Sequence, residues 1–294
     1  NAILDIQKGT GRKFKKIIFS LPPDFFKARV VSQLLERNDP KKLIGRNEEK
    51  KIRAEVIKKA TDKIALLHAK KSGISPSHLN FLSSIVLQVK IDGYGVENII
   101  GYGGRSLEFR ILSVFMPKNY ARDFEAIAKE LNLRIINIAH PFEGLSQFFS
   151  KESGVFVDVG GDVTQFCLMD KGIPIVIEDF NIGGRNFSET LSHALGISEE
   201  SGRNLKERYS NRDLTEDVRK KVEDICAPVA ADWTSALKEQ LTKSGNIVHH
   251  KMHIWGGGSQ FFGLTEPLSQ EHWEIDHISS PQFFNSILIT HAFK

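Results

Sequence analysis

The residues best suited to bind an anionic ligand lie in one short segment, Asp158-Val159-Gly160-Gly161-Asp162-Val163-Thr164, after an apolar run. An acidic residue at the end of a strand can hold a hydrated Mg²⁺, and glycines directly after it let backbone N–H groups approach a phosphate. We therefore expect Gly160, Gly161 and Thr164 to contact phosphate and Asp158 to lie on the metal side. The same residues would also suit an ordinary hairpin turn, in which glycine supplies a positive φ.

Two further glycine clusters precede predicted helices. Gly256-Gly257-Gly258-Ser259 follows the strand pattern Lys251–Trp255, and Gly183-Gly184 precedes a helix whose start carries the capping-box pattern Asn186…Glu189. Consecutive glycines leave room for a flat purine or its ribose, and a helix N-terminus favours anions. The alternative for each cluster is a tight connection between a strand and a helix.

The order of these three motifs resembles that of the actin-like ATPase superfamily, in which the first supplies the second phosphate loop and the last supplies the adenosine loop. Within that superfamily the chain resembles the bacterial cell-division family FtsA. The resemblance extends to Phe19–Pro23 (FSLPP), to Lys206, and to residues 92–108 (DGYGVENIIGYGGRSLE), which are similar to the entry of the FtsA 1C subdomain. PilM, the actin-like family of type IV pilus assembly, is the second resemblance.

The resemblance implies an α/β, actin-like (ribonuclease H-like) fold of two lobes with mixed sheets and an inserted, SHS2-like 1C subdomain. It assigns residues 1–31 to the first lobe (subdomain 1A), 32–135 to the insertion, 136–154 to the return into 1A, and 155–294 to the second lobe. It implies ATP and Mg²⁺ as cofactors, with Asp158 beside the metal. The residues then expected at the nucleotide are Asp158, Gly160, Gly161, Thr164, Gly183, Gly184, Lys206, Gly256, Gly257, Gly258 and Ser259.

The implied function is cell division: assembly at the inner face of the cytoplasmic membrane, under the control of ATP, to link the FtsZ ring to membrane and divisome. The implied partners are the C-terminal peptide of FtsZ, other divisome proteins, further copies of the chain in filaments, and membrane through a C-terminal helix absent from this sequence. One alternative is a PilM-like scaffold that binds a short cytoplasmic peptide beside the insertion. Another is a small-molecule kinase, although no general base for an acceptor hydroxyl stands out.

Departures from the family pattern predict weak nucleotide binding or none, and at most a weak ATPase, with no catalytic residue assigned. Val163 lacks the hydroxyl usual in the second phosphate loop, and Asp162 adds a carboxylate near the expected phosphate. Arg203 stands where a nucleotide-contacting glutamate is expected, three residues before Lys206. We expect the chain to be a piece of a longer protein that begins, at Asn1, in the helix after the first phosphate loop of the family.

Strand and helix patterns alternate along the chain, and hairpins predict mixed rather than purely parallel sheets. The expected strands are Lys15–Ser20, Leu79–Ile91, Ser106–Met116, Arg134–Ile138, Val155–Val159, Thr164–Met169, Ile173–Asp179, Lys251–Trp255 and Trp273–Ile278. The expected helices are Lys50–Lys71, Asn119–Leu131, one after Gly184, Ser198–Tyr209, a long one bent or split at Pro228, one from Phe261, and Gln282–Phe293.

Composition and charge exclude several classes of protein. Of the 294 residues, 40% are hydrophobic and 26% charged, which is too apolar for a disordered chain. The first 80 residues hold 19 Lys/Arg against 8 Asp/Glu, but many of these charges share a helix with an apolar stripe. That stripe consists of Ile52, Val56, Ile57, Ala60, Ile64 and Leu67. A solvated helix face therefore explains the basic charge better than a nucleic-acid surface.

Other kinds of site are poorly supported. Two cysteines exclude a disulfide framework and a four-cysteine zinc site, and Cys167 has the setting of a core thiol. No apolar run reaches the roughly 18–20 residues that span a bilayer. His249, His250 and His253 enter a strand, where their spacing does not converge on a metal, so we expect solvated or packed histidines.

Overall fold

The alternation of strands and helices expected from the sequence is present in the computed structural model, which describes residues 2–19, 25–138, 140–244 and 250–278. The chain forms two compact units; the first reaches Leu145 and the second begins at Ser146. The strands and α-helices before this boundary are α1 (Ala2–Thr10), β1 (Lys16–Phe19), β2 (Lys27–Glu36), α2 (Arg46–Ser72), β3 (Leu79–Ile91), β4 (Tyr94–Val96), β5 (Ser106–Pro117), α3 (Lys118–Glu130) and β6 (Arg134–Ile138), and α4 (Pro141–Phe148) crosses it.

The second unit contributes nine further strands and α-helices among the described residues. They are β7 (Gly154–Val159), β8 (Thr164–Asp170), β9 (Ile173–Phe180), α5 (Gly184–Leu195), α6 (Glu199–Ser210), α7 (Glu216–Lys243), β10 (Lys251–Trp255), α8 (Glu266–Gln270) and β11 (Glu274–His277). The bounds of β3, β6 and β10 agree with the sequence-based expectation residue by residue. The helix expected at Gln282–Phe293 lies outside the described residues.

The first unit is built on an antiparallel sheet in the order β2-β5-β3-β4, with α2 packed across one face. Ile52, Val56 and Ala60 of α2 are buried in the core between helix and sheet, as their helical spacing predicts. Leu67 was expected on the same stripe but is 53% exposed, because the buried face of the last turns is formed by Ile64 and Ala65 instead. β1 and β6 form a separate parallel pair.

One buried arginine ties the end of β2 to the start of α2. The Arg37 guanidinium donates to Glu48 Oε1 at 2.9 Å and to the backbone oxygens of Gly104 and Lys42. Its charge is thus paired and its donors are used, as a buried guanidinium requires. These contacts fix where α2 crosses the sheet.

The second unit holds a mixed sheet in the order β11-β10-β7-β8-β9. β11, β10 and β7 run parallel, while the hairpins β7–β8 and β8–β9 are antiparallel. Val155, Val157 and Val159 alternate toward a core that α5 and α7 cover. Cys167 is fully buried in the sheet, as expected for a core thiol, and burial raises the pKa of its thiol.

The long helix α7 was expected to bend or split at Pro228; it does not split, and continues as one helix from Glu216 to Lys243. Proline costs an interior hydrogen bond. Apolar residues are buried on both sides of it, including Val222 and Cys226 before it and Trp233 after it. The burial of these side chains stabilises the helix despite the hydrogen bond that is lost at Pro228.

Among the described residues, no helix is both long and apolar enough to cross a membrane.

Candidate functional site

Three loops of the second unit meet where β7 ends, α5 begins and β10 ends. A Cβ on Gly258 would lie 2.4 Å from Val159 Cγ1 and 3.1 Å from the backbone nitrogen of Gly184. A Cβ on Gly256, whose φ is +92°, would lie 2.4 Å from the Val159 carbonyl oxygen. Glycine is required at both positions, because any side chain would hold these backbone segments apart.

The loops are also joined by backbone hydrogen bonds. The N–H groups of Gly184 and Arg185 donate to the carbonyl oxygens of Gly160 and Gly161, at 2.9 and 2.7 Å. The Gly183 N–H donates to Asn186 Oδ1 at 2.8 Å. The predicted Asn186…Glu189 capping box is therefore wrong: α5 begins at Gly184 with Gly183 as its N-cap, and Asn186 lies inside the first turn. These donors at the α5 N-terminus are used within the protein rather than offered to an anion.

Free donors remain at the tip of the β7–β8 hairpin. In the part of the chain that the structure describes, the backbone N–H groups of Gly161 and Asp162 have no hydrogen-bond partner. The Asp162 carboxylate lies 3.2 Å from Arg185 Nε in an exposed ion pair. Its negative charge is thus partly offset beside the unpaired amides.

These loops form one wall of a cavity of about 980 Å³. Six of the residues predicted from the sequence line it: Gly160, Gly161, Gly184, Lys206, Gly257 and Gly258. α5 and α6 contribute charged side chains that the sequence did not single out as favourable contacts. These are Arg185, Glu189, Glu199, Glu200, Arg203 and Glu207. Arg185 could have been found from its position directly after Gly183-Gly184.

Lys206 lies against the glycine loop at the start of α5. Its Nζ donates to the Gly184 carbonyl oxygen at 3.0 Å and would lie 3.2 Å from a Cβ on Gly184. Burial lowers the pKa of Lys206, and the neighbouring Glu207 opposes that shift. The hydrogen bond to Gly184 therefore fixes the ammonium group of Lys206 beside the glycine loop.

Asp158 is close to the loops but does not line the cavity. Its Oδ1 would lie 2.5 Å from a Cβ on Gly256, so the carboxylate packs against the base of that loop. Burial raises the pKa of Asp158 to about 6, and the Trp255 side chain partly offsets the shift. No cluster of three His, Cys, Asp or Glu side chains suited to a metal occurs among the described residues. A Mg²⁺ beside Asp158 would need phosphate oxygens and water as its remaining ligands.

Four other predicted residues, Thr164, Gly183, Gly256 and Ser259, do not line the cavity and instead hold the loops in place. The buried Thr164 hydroxyl donates to the Ile182 carbonyl oxygen at 2.6 Å and accepts from Trp233 Nε1 at 2.9 Å. Ser259 Oγ donates to the Gly256 carbonyl oxygen at 2.8 Å. After Gly256 the chain forms short 3₁₀ turns, so the helix predicted from Phe261 is wrong; α8 begins only at Glu266.

Replacing Thr164 by valine should lower the free energy of unfolding by about 1–3 kcal/mol, because Trp233 Nε1 would be left buried without an acceptor. Thr164→Ser keeps the hydroxyl, so its free energy of unfolding should fall much less. Urea unfolding followed by tryptophan fluorescence measures both variants. A valine variant as stable as the wild type would contradict the structural role of this hydroxyl.

No protein-family model and no curated protein sequence matches the chain. Its structure is similar to that of a PilM–PilN type IV pilus biogenesis complex, with a TM-score of 0.66, 12% identity, and coverage of 99% of this chain and 81% of that chain. Two weaker similarities are to the ethanolamine utilization protein EutJ from Carboxydothermus hydrogenoformans (TM-score 0.45, 18% identity, 57% and 59% coverage) and to ADP-bound MreB5 of Spiroplasma citri (0.46, 12%, 60% and 64%).

The chain has an actin-like fold, in the α/β class with mixed sheets, as the sequence resemblance predicted. At 12% identity the similarity to the PilM–PilN complex establishes the fold alone. The specific resemblance to FtsA stays a prediction.

Proposed function

We propose that this chain is an actin-fold assembly protein of a type IV pilus or related secretion machinery, and that it binds an adenine nucleotide in the cavity of its second unit. The observation that carries the nucleotide proposal is the convergence of three glycine-rich loops on one cavity. The similarity in fold to a PilM–PilN complex over 99% of the chain supports the assembly role.

The cavity fits a nucleotide in size and in its donors. Its volume of about 980 Å³ lies at the upper end of the usual range for small-molecule sites. The unpaired amides of Gly161 and Asp162 suit phosphate oxygens, with Lys206 as a cation on the same wall. A Cβ on Gly257 would meet no atom within 4 Å, so this face is open to a flat base or ribose.

The charges around the cavity predict weak binding of a triphosphate. Four glutamates face three basic side chains, and Arg203 forms an ion pair with Glu207 at 3.0 Å. Like charges disfavour an anion, so only part of the attraction from the basic residues is available to phosphate. We propose an affinity weaker than submicromolar and a nucleotide that acts by favouring one conformation for assembly.

A role in cell division is the second candidate, favoured by residues 92–108 and by the order of the three glycine motifs. Co-sedimentation separates the two roles: one sample contains the C-terminal peptide of FtsZ and the other the cytoplasmic peptide of a pilus-assembly protein. Retention of the FtsZ peptide alone would favour division and contradict the pilus proposal.

Replacing Gly257 by leucine should weaken ATP binding by at least about tenfold, or 1.4 kcal/mol, without loss of stability. The added side chain meets no protein atom near its Cβ, so it extends into the space proposed for the nucleotide. Titration calorimetry measures the affinity, and thermal unfolding measures the stability.

Gly95→Leu is the matched control, because a Cβ there also meets no atom within 4 Å and the residue lies in the first unit, outside the cavity. It should bind ATP like the wild type. Equal affinity of the Gly257→Leu variant and the wild type would contradict the proposed site, and submicromolar binding by the wild type would contradict the weak affinity.

A further inference from the structure

A groove in the first unit lies between the edge strand β2 and one face of α2. It has a volume of about 460 Å³ and is lined by Gln33 of β2 and by side chains of α2 between Lys59 and Lys70. Within the described part of the chain, β2 pairs with β5 along one side and with no strand along the other. An open strand edge presents unpaired N–H and C=O groups that a further strand can use.

Two exposed leucines of α2 form the apolar part of the groove. Leu66 is 59% exposed and Leu67 is 53% exposed, although the opposite face of the same helix is buried against the sheet. Two adjacent leucines therefore contribute to an apolar surface next to the open strand. They offer a bound molecule an apolar contact beside the charged side chains of the same helix.

One polar group at the groove lacks a partner. Gln33 is two residues from both Val31 and Leu35, which pack into the core between sheet and helix. Residues two apart in a strand share a face, so the Gln33 side chain lies on that same face of β2. Its Nε2 is buried and has no hydrogen-bond partner in the described chain. An acceptor supplied by a bound molecule would satisfy a donor that is otherwise costly to bury.

The charge of the side chains around the groove determines whether it attracts an acidic or a basic ligand. The groove is lined by three basic residues, Lys59, Lys63 and Lys70, and by one acidic residue, Asp62. Lys59 is paired with Glu55 at 2.6 Å, whereas Lys63 and Lys70 form no ion pair with any described residue. A second copy of the chain docked through the same face would bring these lysines against each other, so an acidic ligand complements the groove better.

We propose that this groove binds an acidic peptide of a partner protein in an extended conformation. The peptide adds a strand to the free edge of β2, places an apolar side chain on Leu66 and Leu67, and pairs its carboxylates with Lys63 and Lys70. The inference gives the proposed assembly role a specific docking site and in that respect depends on it. It does not depend on nucleotide binding.

Selection of a phage-displayed random peptide library on the immobilised full chain tests the proposal. We expect enrichment of net-negative peptides that alternate acidic and apolar residues. Synthetic fluorescent copies of the enriched peptides should bind at least tenfold more weakly to the Lys63→Glu/Lys70→Glu variant, and binding should weaken as salt is raised. In labelled protein, peptide addition should shift the Gln33 side-chain amide signals and slow hydrogen exchange along β2.

Two variants sharpen the test. Lys51→Glu/Lys58→Glu is the matched control, because both lysines are exposed on α2 and neither lines the groove; it should bind the peptides like the wild type. Gln33→Leu should raise the melting temperature, because it removes the unsatisfied amide, and should weaken peptide binding.

Three results would overturn the proposal: no enrichment over the Lys63→Glu/Lys70→Glu surface, enriched peptides without negative charge, or a dimer of the chain formed through this face. The Gly257→Leu variant separates this inference from the nucleotide proposal. If this variant no longer binds ATP but still binds the peptides, both proposals are supported. If the wild type binds peptides but no ATP, the groove stands and the nucleotide proposal fails.

Discussion

Replacing Gly258 by alanine should lower the free energy of unfolding of the second unit by about 2–4 kcal/mol and abolish ATP binding. The new methyl group would lie 2.4 Å from Val159 Cγ1 and 2.9 Å from the Gly160 carbonyl oxygen. Val159 is fully buried in the sheet core and cannot move aside cheaply. The loop after β10 would be pushed away from β7, and the cavity wall would open.

All three tryptophans, Trp233, Trp255 and Trp273, lie in the second unit, so urea unfolding followed by tryptophan fluorescence reports this unit directly. Gly257→Ala is the matched control, because the neighbouring residue receives the same methyl group with no atom within 4 Å. It should be as stable as the wild type. Equal stability of the two alanine variants would show that the close approach of the loops is not required.

At pH 8, Asp158→Asn should be more stable than the wild type by about 2–3 kcal/mol, since each unit of pKa shift corresponds to about 1.36 kcal/mol. Burial raises the pKa of Asp158 from 3.8 to about 6. Between these values the folded state keeps a proton that the unfolded chain has lost, so wild-type stability falls as pH rises through this window. Asparagine has no charge to bury, so its advantage should be complete above pH 6 and disappear near pH 4.

Thermal or urea unfolding at a series of pH values measures this difference. Asp162→Asn is the control, because Asp162 lies on the same hairpin but is exposed in its ion pair with Arg185. Exposed ion pairs contribute little to stability, so the stability of that variant should stay close to that of the wild type at every pH. A difference between Asp158→Asn and the wild type that does not change with pH would contradict burial as the origin of the shift.

Part of the candidate site could be predicted from local sequence alone. Gly160-Gly161 and Gly257-Gly258 line one cavity, as expected, because short glycine runs between strands and helices mark where backbone must approach a neighbour or a ligand. The charged wall from α5 and α6 was harder to predict. Whether Glu189 or Glu199 faces the cavity depends on how the two helices pack, and amphipathic spacing does not specify a partner.

The sequence by itself determined many of the elements and the motif order. The bounds of β3, β6 and β10 followed from alternating apolar residues and from the glycines and prolines around them, which act on the backbone over a few residues. The tertiary structure alone decided that Thr164 donates to Ile182, that Asp158 is buried beside Gly256, and that Leu67 is exposed. Hydrogen bonds, desolvation and burial depend on groups that are distant in the chain, so no local pattern specifies them.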